Sequence, residues 1–411
     1  MLLPEPAKAD SFQKAFVSRI FEENRKRRIF FCRELQKLGA NVLLIRAKLS
    51  FAGAQTSFCF KEEEGISQLF IKISAKEKGN FLRLKELFEF SDAVFKNAPC
   101  LSGIFSPDVV ICGGVFSLYT SAGAKIAEGA NSVLISEESC CLKELLKGLS
   151  FLSSVNPVLT VLKKGQEAAF KKSHAVISSF PAAAQRFSGA HNLYPMVLPA
   201  PKLFEKPSEK AILAKEKLLL FREGKTFVLA FCGELESGFS IEELILSAGS
   251  FGDKFALVFL TEGRKKPYLK RFIGEKGITN VFFLDDVPKD ELSFVLSGAD
   301  GIFVSEFELS KGLAPEQENF FKAFGAQKPV IAASEHWADF FRKAGGVIIT
   351  KPRRKDSITL GIKTLLSMTE TDREILGRAN KSFFDKNSIE TYTKNIFSLF
   401  DNLVKQKEIK K

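Results

Sequence analysis

The sequence predicts an α/β protein made of two doubly wound parallel-sheet domains followed by a helical tail. Three observations predict it. Short apolar strand-like runs alternate with helical patterns twice over, a proline-rich break separates the two series, and from Ser357 to Lys405 the helical period is unbroken.

Size and composition agree with this organisation. A chain of 411 residues exceeds one compact core of ordinary size, so two domains are expected. Hydrophobic residues make up 45% and charged residues 26%, a globular balance, and the 42 phenylalanines read as core filler. The net charge of +12 favours anionic partners such as sugar nucleotides, phospholipid head groups or nucleic acid, without choosing among them. Seven dispersed cysteines lack metal-ligand spacing and fit buried thiols in a reducing compartment. No run of eighteen apolar residues and no signal-peptide pattern occurs, so a cytoplasmic protein is expected.

The first series begins with a helical pattern through Lys37, in which Phe31, Leu35 and Leu38 share a face and Gly39 is the C-cap before a strand at 41–46. Further strands are expected at 68–73, 108–112, 132–135 and 174–178, with helices near 81–95 and 142–149 between them. The segment 195–201 carries three prolines, and charged 205–210 follows, which places the crossover there. The second series has strands at 226–232, 255–260, 280–284, 301–304, 329–333 and 346–349. Its helix after Gly238 presents Ile241, Leu244, Ile245 and Ala248 on one face. The expected domains are residues 1–200, residues 201–385, and a C-terminal helix over 386–411 whose stripe of Tyr392, Ile396, Leu399, Phe400 and Leu403 suits docking back on the first domain. Within the second series, 300–332 reads strand, loop, helix, strand. The loop after Val304 and the helix start near Glu318 thus fall at the carboxyl edge of a parallel sheet, where open α/β sheets bind ligands.

Several pieces carry a family resemblance: Phe231-Cys-Gly233-Glu-Leu-Glu-Ser-Gly238, Asn280 through Leu292, Ser297 through Ser305, and Phe320-Phe-Lys-Ala-Phe-Gly-Ala-Gln-Lys-Pro329-Val-Ile-Ala332. In this order and spacing they resemble the nucleotide-sugar domain of a GT-B glycosyltransferase of the family 4 type. Phe31 through Ile45, Pro107 through Ile111, Ser132 through Glu137 and His174 through Ser178 resemble parts of its first domain more faintly. The resemblance implies two Rossmann-like domains facing a cleft, and transfer of a sugar from a nucleotide-sugar to a saccharide or lipid-linked acceptor in polysaccharide or glycolipid synthesis. It implies no required metal and no cofactor beyond the nucleotide-sugar substrate.

Three departures stand against the family pattern. Where the family has a glutamate that accepts hydrogen bonds from the donor's ribose, this chain has Lys322, and a second acidic position falls at Ala314. The loop expected to offer cations to the diphosphate reads Glu234, Glu236 and Ser237. The opening strand and glycine loop of the family are missing before the first helix. A missing central strand would leave its neighbours' backbone groups unpaired, so a start upstream of Met1 is expected.

The chemistry needs cations or helix N-termini for the departing diphosphate and, in inverting enzymes, a base for the acceptor hydroxyl. The donor-binding candidates are Gly233, Glu306, Glu316, Glu318, Asn319 and Lys322; Glu318 and Asn319 read equally as ordinary helix-start residues and Lys322 as a solvated face. Glu137 and Glu138, just past a strand, are the candidate base, and paired glutamates also serve as loop solubilisers. His174, His191 and His336 read as structural histidines, with His336 placed where it could line the site. Arg25, Arg27 and Arg28 form the densest cationic cluster, suited to an acceptor pyrophosphate or to peripheral contact with an anionic membrane at the inner face, and equally to a solvated helix. A nucleic-acid module, a phosphate-binding P-loop, a His-Glu-x-x-His zinc motif and a nucleophile elbow are absent from the sequence. The rival expectation is a non-catalytic binding or scaffolding subunit of the same shape, for which Lys322 and the acidic loop speak.

Overall fold

The structure is a computed structural model of residues 1–411, and it describes residues 2–3, 28–50, 58–63, 65–74, 80–114, 118–138, 168, 170–178, 193–195, 206–222, 227–235, 240–261, 263, 265–306 and 315–409. It divides into two compact units, Met1–Val197 with Ile389–Lys411, and Leu198–Ser388. The expected helix at 142–149 lies outside the described residues.

The first unit opens with β1 (Leu2–Leu3), then α1 (residues 28–37), β2 (Leu43–Ser50), β3 (Phe58–Glu63), β4 (Ile66–Ser74), α2 (Asn80–Phe105), β5 (Val109–Gly114), α3 (Leu118–Gly129), β6 (Val133–Glu138), β7 (Ala175–Ser178) and β8 (Leu193–Pro195). Strands pair in the orders β1-β2-β4-β3 and β5-β6-β7-β8, and β1 lies beside β5, so the two sets meet there. All pairs are parallel except β3 with β4. The expected lack of a first strand is corrected by β1, which pairs Leu2 with Ile45 and Leu3 with Arg46. Only three apolar residues precede Pro4, which has no N–H to give a ladder, so no readable run exists. Strand β3 was not expected either: four of its six residues are exposed, which leaves no apolar run to read.

Helix α1 ends at Gly39, whose φ of 90° is left-handed. There the Ala40 N–H reaches the Leu35 carbonyl at 3.1 Å and the Gly39 N–H reaches Gln36 at 2.9 Å, satisfying carbonyls of the last turn. Strand β6 shows how both sheet faces are covered. Val133 and Ile135 join a core with Phe31 and Leu35 of α1, while Leu134 points the other way against Cys112, Ala124 and Ala127.

The second unit contains α4 (Glu209–Leu220), β9 (Phe227–Phe231), α5 (Ile241–Ala248), β10 (Phe255–Phe259), α6 (Lys266–Glu275), β11 (Val281–Phe283), α7 (Leu292–Leu296), β12 (Gly301–Ser305), α8 (Pro315–Gly325), β13 (Val330–Ala333), α9 (Ala338–Ala344), β14 (Val347–Thr350), α10 (Lys355–Ser367) and α11 (Glu370–Lys386). Its strand order is β11-β10-β9-β12-β13-β14, parallel throughout. Every residue of β9, β10, β12 and β13 is buried, as a parallel sheet covered on both faces requires. Much of the phenylalanine content serves here. Phe320, Phe321 and Phe324 of α8 pack edge-on against Phe340 and Phe341 of α9 and Phe383 and Phe384 of α11, with ring centroids 4.8 to 6.3 Å apart.

The last helix, α12 (Ile389–Ile409), belongs to the first unit. Ile389, Tyr392, Ile396 and Leu403 enter the core of α1, β6 and β7, Tyr392 meets Phe31 edge-on at 5.7 Å, and the Lys407 ammonium bonds the Ser132 carbonyl at 2.8 Å.

Candidate functional site

The strand order of the second unit reverses between β9 and β12, and in an open parallel sheet the carboxyl ends at such a reversal border a ligand crevice, because the crossovers leave in opposite directions there. Beyond β9 come Cys232 and Gly233; beyond β12 comes Glu306. The Cys232 N–H donates to the Phe303 carbonyl at 2.9 Å, which holds the two strand ends together. A side chain at Gly233 would place its first carbon 2.8 Å from the buried Phe231 ring, so a larger residue here would have to displace that ring.

Helix α8 brings the next residues to this edge. The Cys232 thiol donates to the Asn319 carbonyl at 3.4 Å, and the Lys322 ammonium lies 2.7 Å from a Glu318 carboxylate oxygen. Both side chains are largely buried, so the site holds an internal ion pair and Lys322 is no solvated face. Burial pushes the Cys232 thiol up to about 12; Lys322 draws it back and Glu318 adds to the rise. The carboxylate of Glu306 turns inward. Its Oε2 accepts from the Ser334 hydroxyl at 2.6 Å and from the N–H groups of Glu335 and His336 at 3.0 Å each, while Oε1 faces His336 Nδ1 at 3.0 Å. These bonds tie the end of β12 to the loop leaving β13. Two polar atoms at the same carboxyl edge, the Thr261 hydroxyl beyond β10 and the Trp337 indole N–H, are buried without a hydrogen-bond partner among the described residues. Glu316 lies on α8, but its side chain is outside the described set, as are the whole of Glu236, Ser237 and Ala314.

In the first unit, Glu137 and Glu138 lie within β6 rather than past its end, and Glu137 forms an ion pair with Arg28 of α1 in which the two side chains are only 9% and 8% exposed. This corrects the assignment of Arg28 to an exposed acceptor or membrane surface: its guanidinium is buried on a carboxylate. Nothing in the residue pattern signals this pairing, since the partner lies on a strand more than a hundred residues away. Arg25 and Arg27 lie outside the described residues, and Glu138 is placed only by its backbone, in register with Gly114 and Ser178. His174 accepts the Leu134 N–H on Nδ1 at 3.1 Å, a structural role, and His191 is outside the described residues. Among the described residues no cluster of His, Cys, Asp or Glu suits a metal ion, and no helix is long and apolar enough to cross a membrane.

No family model matches this chain, and no curated protein matches it. Solved structures do match over nearly its whole length. A glycosyltransferase from Rickettsia africae superposes with a TM-score of 0.63 at 13% identity, covering 98% of each chain. An α,α-trehalose-phosphate synthase (UDP-forming) from Burkholderia vietnamiensis gives 0.58 at 10% identity, again with 98% of each chain covered. The trehalose-6-phosphate protein from E. coli bound with UDP-2-fluoro glucose gives 0.60 at 11% identity, over 97% of this chain and 98% of that one. With two Rossmann-like parallel-sheet units and a C-terminal helical region in common with these structures, this protein has the GT-B fold.

Proposed function

We propose that this protein is a family 4-type glycosyltransferase that moves a sugar from a nucleotide-sugar to a saccharide or lipid-linked acceptor, acting in the cytoplasm or peripherally at the inner face of a membrane. The observation that carries the reading is the β9–β12 reversal, with Gly233 at one strand end and the Glu318–Lys322 pair of α8 beside it. A nucleoside diphosphate suits such an edge because backbone N–H groups and a buried ammonium meet its charge where water is scarce. The unpartnered Thr261 hydroxyl and Trp337 indole support a polar ligand there. The likeness to UDP-forming synthases supports a uridine donor.

The test is titration with UDP, GDP and UDP-glucose by calorimetry and thermal shift, followed by a donor-hydrolysis assay. Binding should raise the melting temperature with ligand concentration, by about 2.7 kcal/mol of stability at a hundredfold excess over Kd. Absence of any response would overturn the reading. The second reading, a non-catalytic binding subunit, is favoured by Lys322, which stands where the family pattern has a ribose-binding glutamate and is paired with Glu318. Nucleotide binding without hydrolysis or transfer to any acceptor would select it.

A further inference from the structure

The hydrogen bonds of Glu306 give His336 a defined chemical state. Glu306 is 5% exposed, and its Oε2 is occupied by Ser334 and by the N–H groups of residues 335 and 336, so the carboxylate is fixed in place. The Ser334 hydroxyl, which donates to Glu306, also accepts the Trp337 N–H at 3.1 Å, locking the loop from the other side. Oε1 then faces His336 Nδ1 at 3.0 Å. A carboxylate only accepts, so Nδ1 must carry the proton, and in the neutral ring Nε2 is left as an acceptor. The His336 side chain is 44% exposed, against 6% for that of Glu306. The ring therefore stands out from the carboxyl edge of β12 and β13 with its inner nitrogen anchored, and Nε2 makes no hydrogen bond among the described residues.

We propose that Glu306 and His336 form a carboxylate–imidazole dyad at the nucleotide-sugar site, in which His336 Nε2 accepts a hydrogen bond from a sugar hydroxyl of the bound donor. His336 is the residue that touches ligand; Glu306 is a positioning residue that acts through it. Anchoring matters because a free imidazole divides its population between two tautomers and several ring orientations, whereas this one presents a single acceptor in a single direction. The inference rests on the proposed donor site. A hydroxyl on the ribose and one on the transferred sugar share the required chemistry, and the test separates them.

The test has two independent arms on the full chain. In the first, long-range proton–nitrogen NMR reads the imidazole state; the chain has three histidines, and His336→Ala identifies the signals to follow. The expected result is the Nδ1-protonated tautomer, lost or mixed in Glu306→Gln. An Nε2-protonated ring in the wild type would overturn the dyad. In the second arm, UDP and UDP-glucose are titrated into the wild type, His336→Ala and His336→Gln. Loss of one hydrogen bond predicts about three- to tenfold weaker binding in His336→Ala, and partial recovery in His336→Gln, whose amide oxygen can accept at the place of Nε2. Weakening of both ligands assigns the ribose; weakening of UDP-glucose alone assigns the transferred sugar. Unchanged affinity for both, in a protein whose wild type binds them, overturns the ligand assignment while leaving the proposed function standing. A wild type that binds neither removes the proposed function and this ligand with it, and the tautomer measurement still judges the dyad. Melting temperatures of the variants show whether each remains folded.

Discussion

Replacing Glu137 by glutamine separates two roles for the same carboxylate. If Glu137 is the base that takes the acceptor's proton, Glu137→Gln abolishes transfer and leaves the fold as stable as before. The structure supports a different outcome. Glu137 and Arg28 are both more than nine-tenths buried and paired, so both charges have left water, and each depends on the other for compensation. Neutralising one leaves a buried guanidinium unpaired, which costs about 3–5 kcal/mol, with glutamine toward the low end because its carbonyl still accepts. In a domain of this size each kcal/mol moves the melting point by roughly 2–4 °C, so a fall of about 6–20 °C is expected for the first unit. Differential scanning calorimetry measures it, and the double variant Arg28→Met/Glu137→Leu supplies the control. With both charges gone, it should recover most of the loss, because apolar replacements of a buried pair are often neutral or better. A Glu137→Gln protein with an unshifted melting point and no turnover would refute this reasoning and restore the base.

The Glu318–Lys322 pair should behave likewise in the second unit: Lys322→Met alone destabilises by about 3 kcal/mol or slightly less, because both side chains retain some exposure, and Glu318→Gln/Lys322→Met by much less, as read from urea midpoints. The buried thiols predict an alkaline limit. Burial lifts Cys112 to about 11 and Cys232 to about 12 from an ordinary 9.0, so the unfolded chain ionises first; this contribution to stability is whole below pH 9 and is lost as pH rises toward 11–12. Denaturation midpoints measured between pH 8 and 10.5 should fall, and fall less steeply in Cys232→Ala. By the same argument, brief alkylation at pH 8 should label exposed Cys100 and spare Cys112 and Cys232, a pattern that peptide mass spectrometry reads directly. Gly123→Ala should cost about 1–3 kcal/mol, because its added carbon would sit 1.8 Å from the Cys112 sulfur, and Cys112→Ala should restore most of that in thermal unfolding.

The second unit was legible from sequence because its strands are buried on both faces. Runs such as Phe227–Phe231 and Phe255–Phe259 admit no polar residue, so each stands out between its helices. In the first unit Phe58–Glu63, an edge strand with an exposed face, and Leu2–Leu3, which is too short for any period, have no such signature. Gly39 was readable as a helix end because the left-handed turn there has a residue-level signature. The places of the candidate residues along the fold were legible and their pairings were not. Position along the strands put Gly233, Glu306, Glu318 and Lys322 at the carboxyl edge. That Glu318 and Lys322 face each other follows from helical spacing and was within reach. The Glu306–His336 and Arg28–Glu137 contacts join residues far apart in sequence, and only the pairing of strands brings them together.

These pairings change what the acidic residues of the candidate site can do. A carboxylate acts on substrate only with a lone pair free to meet it, and Glu306, Glu137 and Glu318 divide on that criterion. Glu306 gives its oxygens to the loop of residues 334–336, and Glu137 gives its charge to Arg28. Glu318 shares one oxygen with Lys322. Under the proposed function, the charge offered to a donor would be set by the Glu318–Lys322 pair acting as a unit, its ammonium toward anionic oxygen and its carboxylate toward hydroxyl hydrogen. If so, Lys322→Met and Glu318→Gln should fail differently, the first weakening nucleoside diphosphates more than nucleosides and with a shallower salt dependence, the second weakening both alike. Equal losses across all ligands in both variants would reduce the pair to a structural strut, and the site would then belong to a protein that holds a partner rather than one that transfers a sugar.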